Sequence, residues 1–413
     1  MRALAAFVEG SALLGTEVTA RPAGYRQVMS VPGWRPWALT TLLSRIPDAM
    51  APLALVLLGH QTGSFTVGGL ASGAHAITEA ALAPWLGALA DRWRGHRYVR
   101  VALVVRAAAY TLLAATATVL PAAALVILAG VAGGIGAGVP GQLRALLART
   151  MDPPLLHPAM SLDTTLLELA WTVAPVGVSV LVAVGDPRLA VATMAVLAAT
   201  AALASLRLPA APSDGDGADG ARRSGLALGP VLLRAALPSL ALALVGGFAG
   251  GVLDTAVPPV LDASGSPASL AGVLFTGYSI TSVVGGLIYG LRHWPGRIHR
   301  QAAALLAALC LALLPAALVP SLPVIAVSIV AAGLFAAPQL TARSLTLQRD
   351  LPESAWSAGF SALYAANGAG YGLAGFAIAA LLPLGAHFAF AVPLAVCIAA
   401  AVVAFLPSGP ARS

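Results

Sequence analysis

The chain has 413 residues, 59% hydrophobic and only 9% charged, with 23 basic and 16 acidic residues for a net charge of +7. A soluble protein carries about 25% charged residues, and a disordered one is poor in apolar residues. With a mean hydropathy of +0.87, both classes are excluded and an all-α integral membrane protein is expected. No lysine occurs, so every basic residue is arginine. That removes a P-loop, which needs Lys after its glycine-rich turn, and a Schiff-base lysine. The arginines lie between apolar segments, which points to a membrane partner and not to nucleic acid. Cys310 and Cys397 sit inside apolar runs and build neither a metal site nor a disulfide framework.

In chain order, residues 1–35 read as a cytoplasmic tail, since Glu9 and Glu17 interrupt anything like a signal peptide. A spanning helix needs about 20 mostly apolar residues. Twelve such stretches follow: 37–59, 65–90, 99–120, 122–146, 159–184, 188–206, 234–257, 268–291, 301–319, 322–345, 355–382 and 386–406. Pro121, Gly185-Asp186-Pro187, Pro320 and Pro383 mark joints between them. The longest polar insertion, with Ser213-Asp214-Gly215-Asp216-Gly217 and Arg222-Arg223, reads as a linker over 207–230. It divides a six-helix bundle over 36–206 from another over 231–407, with a short tail at 408–413.

Cytoplasmic loops hold the excess of basic residues. With the N-terminus inside, twenty arginines fall on the inner side, Arg188 alone falls outside, and Arg45 and Arg106 fall within spans. The split predicts an even number of spans with both termini in the cytoplasm. A shift of 199 residues also lays Gly87 on Gly286, Arg144 on Arg343 and Pro153 on Pro352. Six spans repeated as six is a transporter architecture whose site lies between the halves near the midplane.

The segment Gly87-Ala-Leu-Ala-Asp91-Arg92-Trp-Arg-Gly95-His-Arg97 resembles motif A of the major facilitator superfamily. Gly87, Asp91 and Arg92 match in place, and Gly95 and Arg97 arrive one residue late. A second, weaker copy keeps Gly286, with Gly290 in place of the Asp and Arg292 displaced. The mid-helix Arg of motif B is missing from span 4, and the antiporter motif of span 5 reduces to Ala174-Pro175-Val176-Gly177. The resemblance covers roughly residues 30–407. It implies that Gly87, Asp91, Arg92, Arg97 and Gly286 form a cytoplasmic gate, with Asp91 near the start of span 11. It further implies a membrane transporter working by alternating access, with no cofactor.

Charged groups near the bilayer centre are costly and are functional candidates by default. Arg45, Asp48, Glu79 and Glu168 fall about 13–18 Å from the inner ends of their spans. Arg45 and Asp48 share one helix face and read as a self-neutralising pair or as part of a substrate site. His75 and Glu79, one turn apart, read as a shared-proton pair or as a polar face toward the bundle. Asn367 is the repeat mate of Glu168 and faces the same cavity. Three deep acids against Arg45 and Arg106 leave one acid over. Glu168 is the expected unpaired one, holding its proton when occluded and releasing it when the cavity opens. Asp254 is placed near the outer interface, and Arg343 is expected to snorkel to the cytoplasm.

The seven histidines are scattered, which argues against an enzyme centre. The expected function is secondary active transport of a small organic solute across the cell membrane, as proton-coupled efflux by a monomer. Import by the same fold is the alternative, and an integral-membrane enzyme the alternative of another class.

Overall fold

The computed structural model of the protein describes residues 25–92, 95–209, 230–291, 294–352 and 355–405. The expected N-terminal tail before residue 25, most of the expected 207–230 linker and the expected 408–413 tail lie outside these residues. Among the described residues the chain is helical throughout, without strands. A short α1 (Tyr25–Ser30) precedes α2 (Trp34–Thr62), α3 (Phe65–Arg92) and α4 (Gly95–Thr116). The next span is broken at Ala137–Gly138 into α5 (Ala122–Gly136) and α6 (Val139–Thr150), and α7 (Pro153–Val184) and α8 (Pro187–Ala204) follow. Then come α9 (Pro230–Ala263), α10 (Ala271–Gly290), α11 (Ile298–Leu318), α12 (Leu322–Asp350), α13 (Trp356–Leu381) and α14 (Ala386–Phe405).

Eleven described segments are long and apolar enough to cross a membrane. Helix α3 has 28 residues but is less apolar, because it is rich in small residues and carries His75 and Glu79. Several long helices carry internal prolines, among them Pro47 and Pro52 in α2, Pro158 and Pro175 in α7, and Pro258 and Pro259 in α9. Each removes a backbone donor. Membrane helices tolerate this because neighbouring helices re-satisfy the freed carbonyls.

The helices form two groups with matching internal packing. In the first, α2 packs on α7 and α8, α4 on α8 and α5, and α3 on α5. In the second, α9 packs on α13 and α14, α11 on α14 and α12, and α10 on α12. Each contact thus recurs at the position the 199-residue repeat requires. Arg144 on α6 and Arg343 on α12 both sit about two turns from the arginine-rich end of their helix.

The groups meet through α3 with α13, α7 with α10, and α2 with α9. At the end holding residues 62–65, 184–187 and 381–386 the seal is tight. A Cβ on Gly73 would come within 2.9 Å of Gly372 O, and one on Gly375 within 2.6 Å of Gly69 O. Small residues let helix backbones approach this closely in a membrane. Ser179 Oγ donates to Ser269 O across the other contact, and the Gly272 backbone lies against Pro175 O. Toward the arginine-rich end the halves part: a Cβ on Gly87 would meet nothing within 4 Å, and Trp85 is 76% exposed.

Candidate functional site

Four groups of polar side chains lie at membrane depth, and tertiary contacts, more than sequence neighbours, decide the partners. The first joins α2, α6 and α7. Arg45 Nη2 pairs with Asp163 Oδ1 at 2.7 Å, and its Nη1 donates to Asp163 O at 2.7 Å. Arg144 Nε takes the other carboxylate oxygen at 2.6 Å. Asp163 is almost fully buried, so a single carboxylate serves two guanidiniums.

The second group joins α2, α3 and α4. Arg106 of α4, 1% exposed, forms an ion pair with Asp48 and lies over the Tyr110 ring at 5.4 Å from its centroid. Tyr110 Oη is 3.0 Å from His75 Nε2, and His75 Nδ1 is 3.9 Å from Glu79 Oε2. Glu79 also interacts electrostatically with Asp48 and Arg106. The Arg106 guanidinium fills the space where a Cβ on Gly136 would stand, against the last turn of α5. A cation is favoured at such a helix end, where carbonyls go unpaired.

These contacts correct the expected Arg45–Asp48 pair. The two side chains share a helix face, yet Arg45 reaches α7 and Asp48 is taken by Arg106. Cross-helix ion pairs held in a solvent-excluded core win over a local pair beside a kink. The His75–Glu79 proximity is present. Asp163 carries no signal in a sequence reading that starts span 5 at residue 159. Helix α7 starts at Pro153, which sets Asp163 about 15 Å into the helix.

The third group lines a cavity of about 230 Å³ between the halves, just beneath the sealed end. Ala49, Pro52 and Leu53 of α2 and Trp171, Thr172 and Pro175 of α7 form one side. Gly250 and Asp254 of α9 with Phe275, Tyr278, Ser279 and Ser282 of α10 form the other. Asp254 accepts a hydrogen bond from Tyr371 Oη of α13. Its expected interfacial position is thereby corrected: α9 continues through Pro258-Pro259 to Ala263, placing Asp254 about 13 Å from the helix end. None of Arg45, Asp48, His75, Glu79 and Asn367 is among the lining residues.

The fourth group is Arg343 with Asn367. Arg343 is 4% exposed and does not snorkel. Its Nη2 donates to Asn367 Oδ1 at 2.8 Å, and its Nη1 lies 3.5 Å from Ala243 O. The partly buried Asn367 amide oxygen and the Ala243 carbonyl hold the guanidinium at depth.

For the gate residues, a Cβ on Gly87 would meet nothing within 4 Å among the described residues, and the Gln142 amide donates to the Gly87 carbonyl at 3.4 Å. Gly286 packs within its own half, where a Cβ would come 3.1 Å from Ala337 Cβ. Arg97 is exposed. The side chains of Asp91, Arg92 and Glu168 lie outside the described residues, as do Glu353 and Ser354 near the expected Asp91 contact.

Comparison with solved structures finds several transporters of the same architecture. The nucleoside transporter NupG aligns with a TM-score of 0.68 at 14% identity, covering 90% of this chain and 96% of that one. A D-xylose-proton symporter gives 0.69 at 14%, covering 91% and 98%. A bacterial homolog of the human lysosomal transporter Spinster, inward-facing and unoccupied, gives 0.69 at 15%, covering 90% and 93%. At these identities the likeness is one of fold. No curated protein matches the chain. Comparison with protein families matches the Major Facilitator Superfamily over residues 37–290, more than half of the chain, and the packing repeat continues the architecture through the second half. This multi-pass membrane protein belongs to the major facilitator superfamily of transporters.

Proposed function

We propose that the protein is a proton-coupled secondary transporter exporting a small organic solute by alternating access, and not an enzyme. The observation that carries this reading is the cavity between the halves, fed by α2, α7, α9 and α10, sealed at one end and parted at the other. Transporters of this architecture hold their substrate at such an interface. The symporter among the structural neighbours is described as proton-coupled, which supports protons as the driving ion.

Asp254 is the acid we assign to coupling, because it lines the cavity and bonds across to α13. Glu168 is the second candidate. In inverted vesicles, an exporter driven by proton antiport accumulates solute when the lumen is acidified, whereas an importing symporter drives solute out. Asp254→Asn is expected to keep solute exchange and abolish gradient-driven accumulation. If Asp254→Asn accumulates normally and Glu168→Gln does not, the role passes to Glu168. Normal accumulation by both variants overturns proton coupling.

We further propose twelve spans, α3 included, with both termini and the 207–230 linker in the cytoplasm of a cell-membrane monomer. The arginine split supports this orientation. Arg188, the one arginine on the opposite side, is paired with its neighbour Asp186 at 2.8 Å. That guanidinium holds the Asp186 carboxyl below the usual carboxylate range. In this orientation the described state is inward-open, and Gly87, Asp91, Arg92, Arg97 and Gly286 mark the end that closes next. Reporter fusions at residues 62, 186, 263 and 385 are expected to read as external. Cytoplasmic activity at any two of them refutes the topology.

A further inference from the structure

Charge is divided unequally around the parted end of the interface. Among the described residues Arg45 and Arg144 share one carboxylate, Asp163, which leaves one positive charge over. Arg343, at the repeat position of Arg144, has no carboxylate partner among the described residues. Asn367 Oδ1 satisfies one of its donors, and its buried Nε has no hydrogen-bond partner. An amide dipole accepts a hydrogen bond but cancels no charge. Tyr364 of α13, one turn from Asn367, has electrostatic reach to Arg45, Arg144 and Arg343 alike.

Two of these groups are open to a ligand. Tyr364 is 60% exposed, and the Arg144 side chain is 41% exposed. The bond to Asp163 uses Arg144 Nε, leaving its terminal nitrogens outside that contact. Both residues sit about 9–12 Å inside the helix ends, and Tyr364 of one half lies in electrostatic reach of Arg144 of the other, which sets both on the vestibule between the halves. Uncompensated charge at membrane depth is costly, and an incoming anion would relieve that cost. Asp254 does not oppose it there. The space beside Gly246 holds the Arg343 guanidinium, and Asp254 lies eight residues further along α9, about 12 Å away.

We propose that the vestibule binds an organic anion, preferring a dianion such as a dicarboxylate or phosphoester. Arg144 and the Tyr364 hydroxyl contact the anionic group, and Arg343 supplies the uncompensated charge behind them. The apolar remainder of the ligand extends toward Trp171 and Phe275. This names the substrate class of the transport reading and rests on it.

The test uses the purified full chain in neutral detergent at constant ionic strength. Four probes share one ring and differ in charge: benzamidinium, benzamide, benzoate and phthalate. Thermal stabilisation should rise from benzamide through benzoate to phthalate, with none from benzamidinium. Asn367→Asp keeps the bond to Arg343 while supplying the missing carboxylate. It should weaken phthalate binding by about tenfold or more, leave benzamide unchanged and not lower the unliganded midpoint. Tyr364→Phe, at an exposed position, should weaken benzoate and phthalate together. Absence of the charge order, or wild-type phthalate affinity in Asn367→Asp, overturns the proposal. Charge-ordered binding with no vesicle transport of any solute would instead sink the transport reading and leave the site standing. Vesicle transport with no charge order would do the reverse.

Discussion

Replacing Arg106 with Met is expected to lower unfolding stability by about 3–5 kcal/mol, the usual cost of breaking a buried ion pair from one side. Arg106 is 1% exposed and faces Asp48 and Glu79 on two neighbouring helices. Methionine matches much of its length but leaves both acids, largely buried, without a cation. It also empties the space against Gly136. The hydrophobic gain of a buried Met, about 1.5–3 kcal/mol, does not cover the loss. Adding Asp48→Asn should recover a large part of the deficit, because the remaining groups no longer include an orphaned carboxylate beside Glu79. Tryptophan-fluorescence unfolding of the purified variants in detergent reads both effects. A single Met variant as stable as the parent would mean that the ion pair contributes nothing net, as some buried pairs do.

Replacing Gly375 with Leu is expected to open the sealed end. A Cβ there meets Gly69 O at 2.6 Å and the Gly73 backbone at 2.7 Å. All of these are backbone atoms, so no flexible side chain can yield and α13 must move off α3. Even about 3 kcal/mol of selective strain on the sealed arrangement changes the ratio of sealed to open states roughly a hundredfold. The readout is labelling of Ser279→Cys, in the cavity wall, by an impermeant maleimide applied from the side of residues 62–65. Cys310 and Cys397 are buried and contribute little background. Labelling should rise strongly and transport should fall. Unchanged labelling would show that the contact between α3 and α13 is not the seal.

The helical class, the two halves and the arginine split are legible in the sequence because each sums over many residues. Depth is not, because it hangs on single helix ends. Pro258-Pro259 reads as the end of a span, which puts Asp254 beside the interface. The helix runs on to Ala263 and moves that acid about 9 Å deeper. Pro158 hides Asp163 in the same way. Partners are less legible still. Arg45 and Asp48 are three residues apart in sequence, yet the carboxylate that Arg45 binds lies 118 residues away, and nothing in a local pattern points there. The 199-residue repeat does point to Arg343 as the counterpart of Arg144. It also lays Glu168 on Asn367, while the structure gives Arg343 to Asn367 and Arg144 to Asp163, about one turn out of register. The counterpart of a residue in its half is thus recoverable from the repeat, whereas its bonding partner is not.

The break at Ala137–Gly138 has a mechanical consequence. The helical hydrogen-bond ladder is interrupted there, so bending at that joint strains fewer bonds than bending elsewhere in the span. The lever beyond the joint is α6, and it carries Arg144. At the matching level α12 is continuous but holds Pro338, which removes one backbone donor and softens the same place. The two arginine-bearing segments therefore hang from hinges at one common height. A bend of each segment by itself would change the spacing between Arg144 and Arg343 without rotating either bundle.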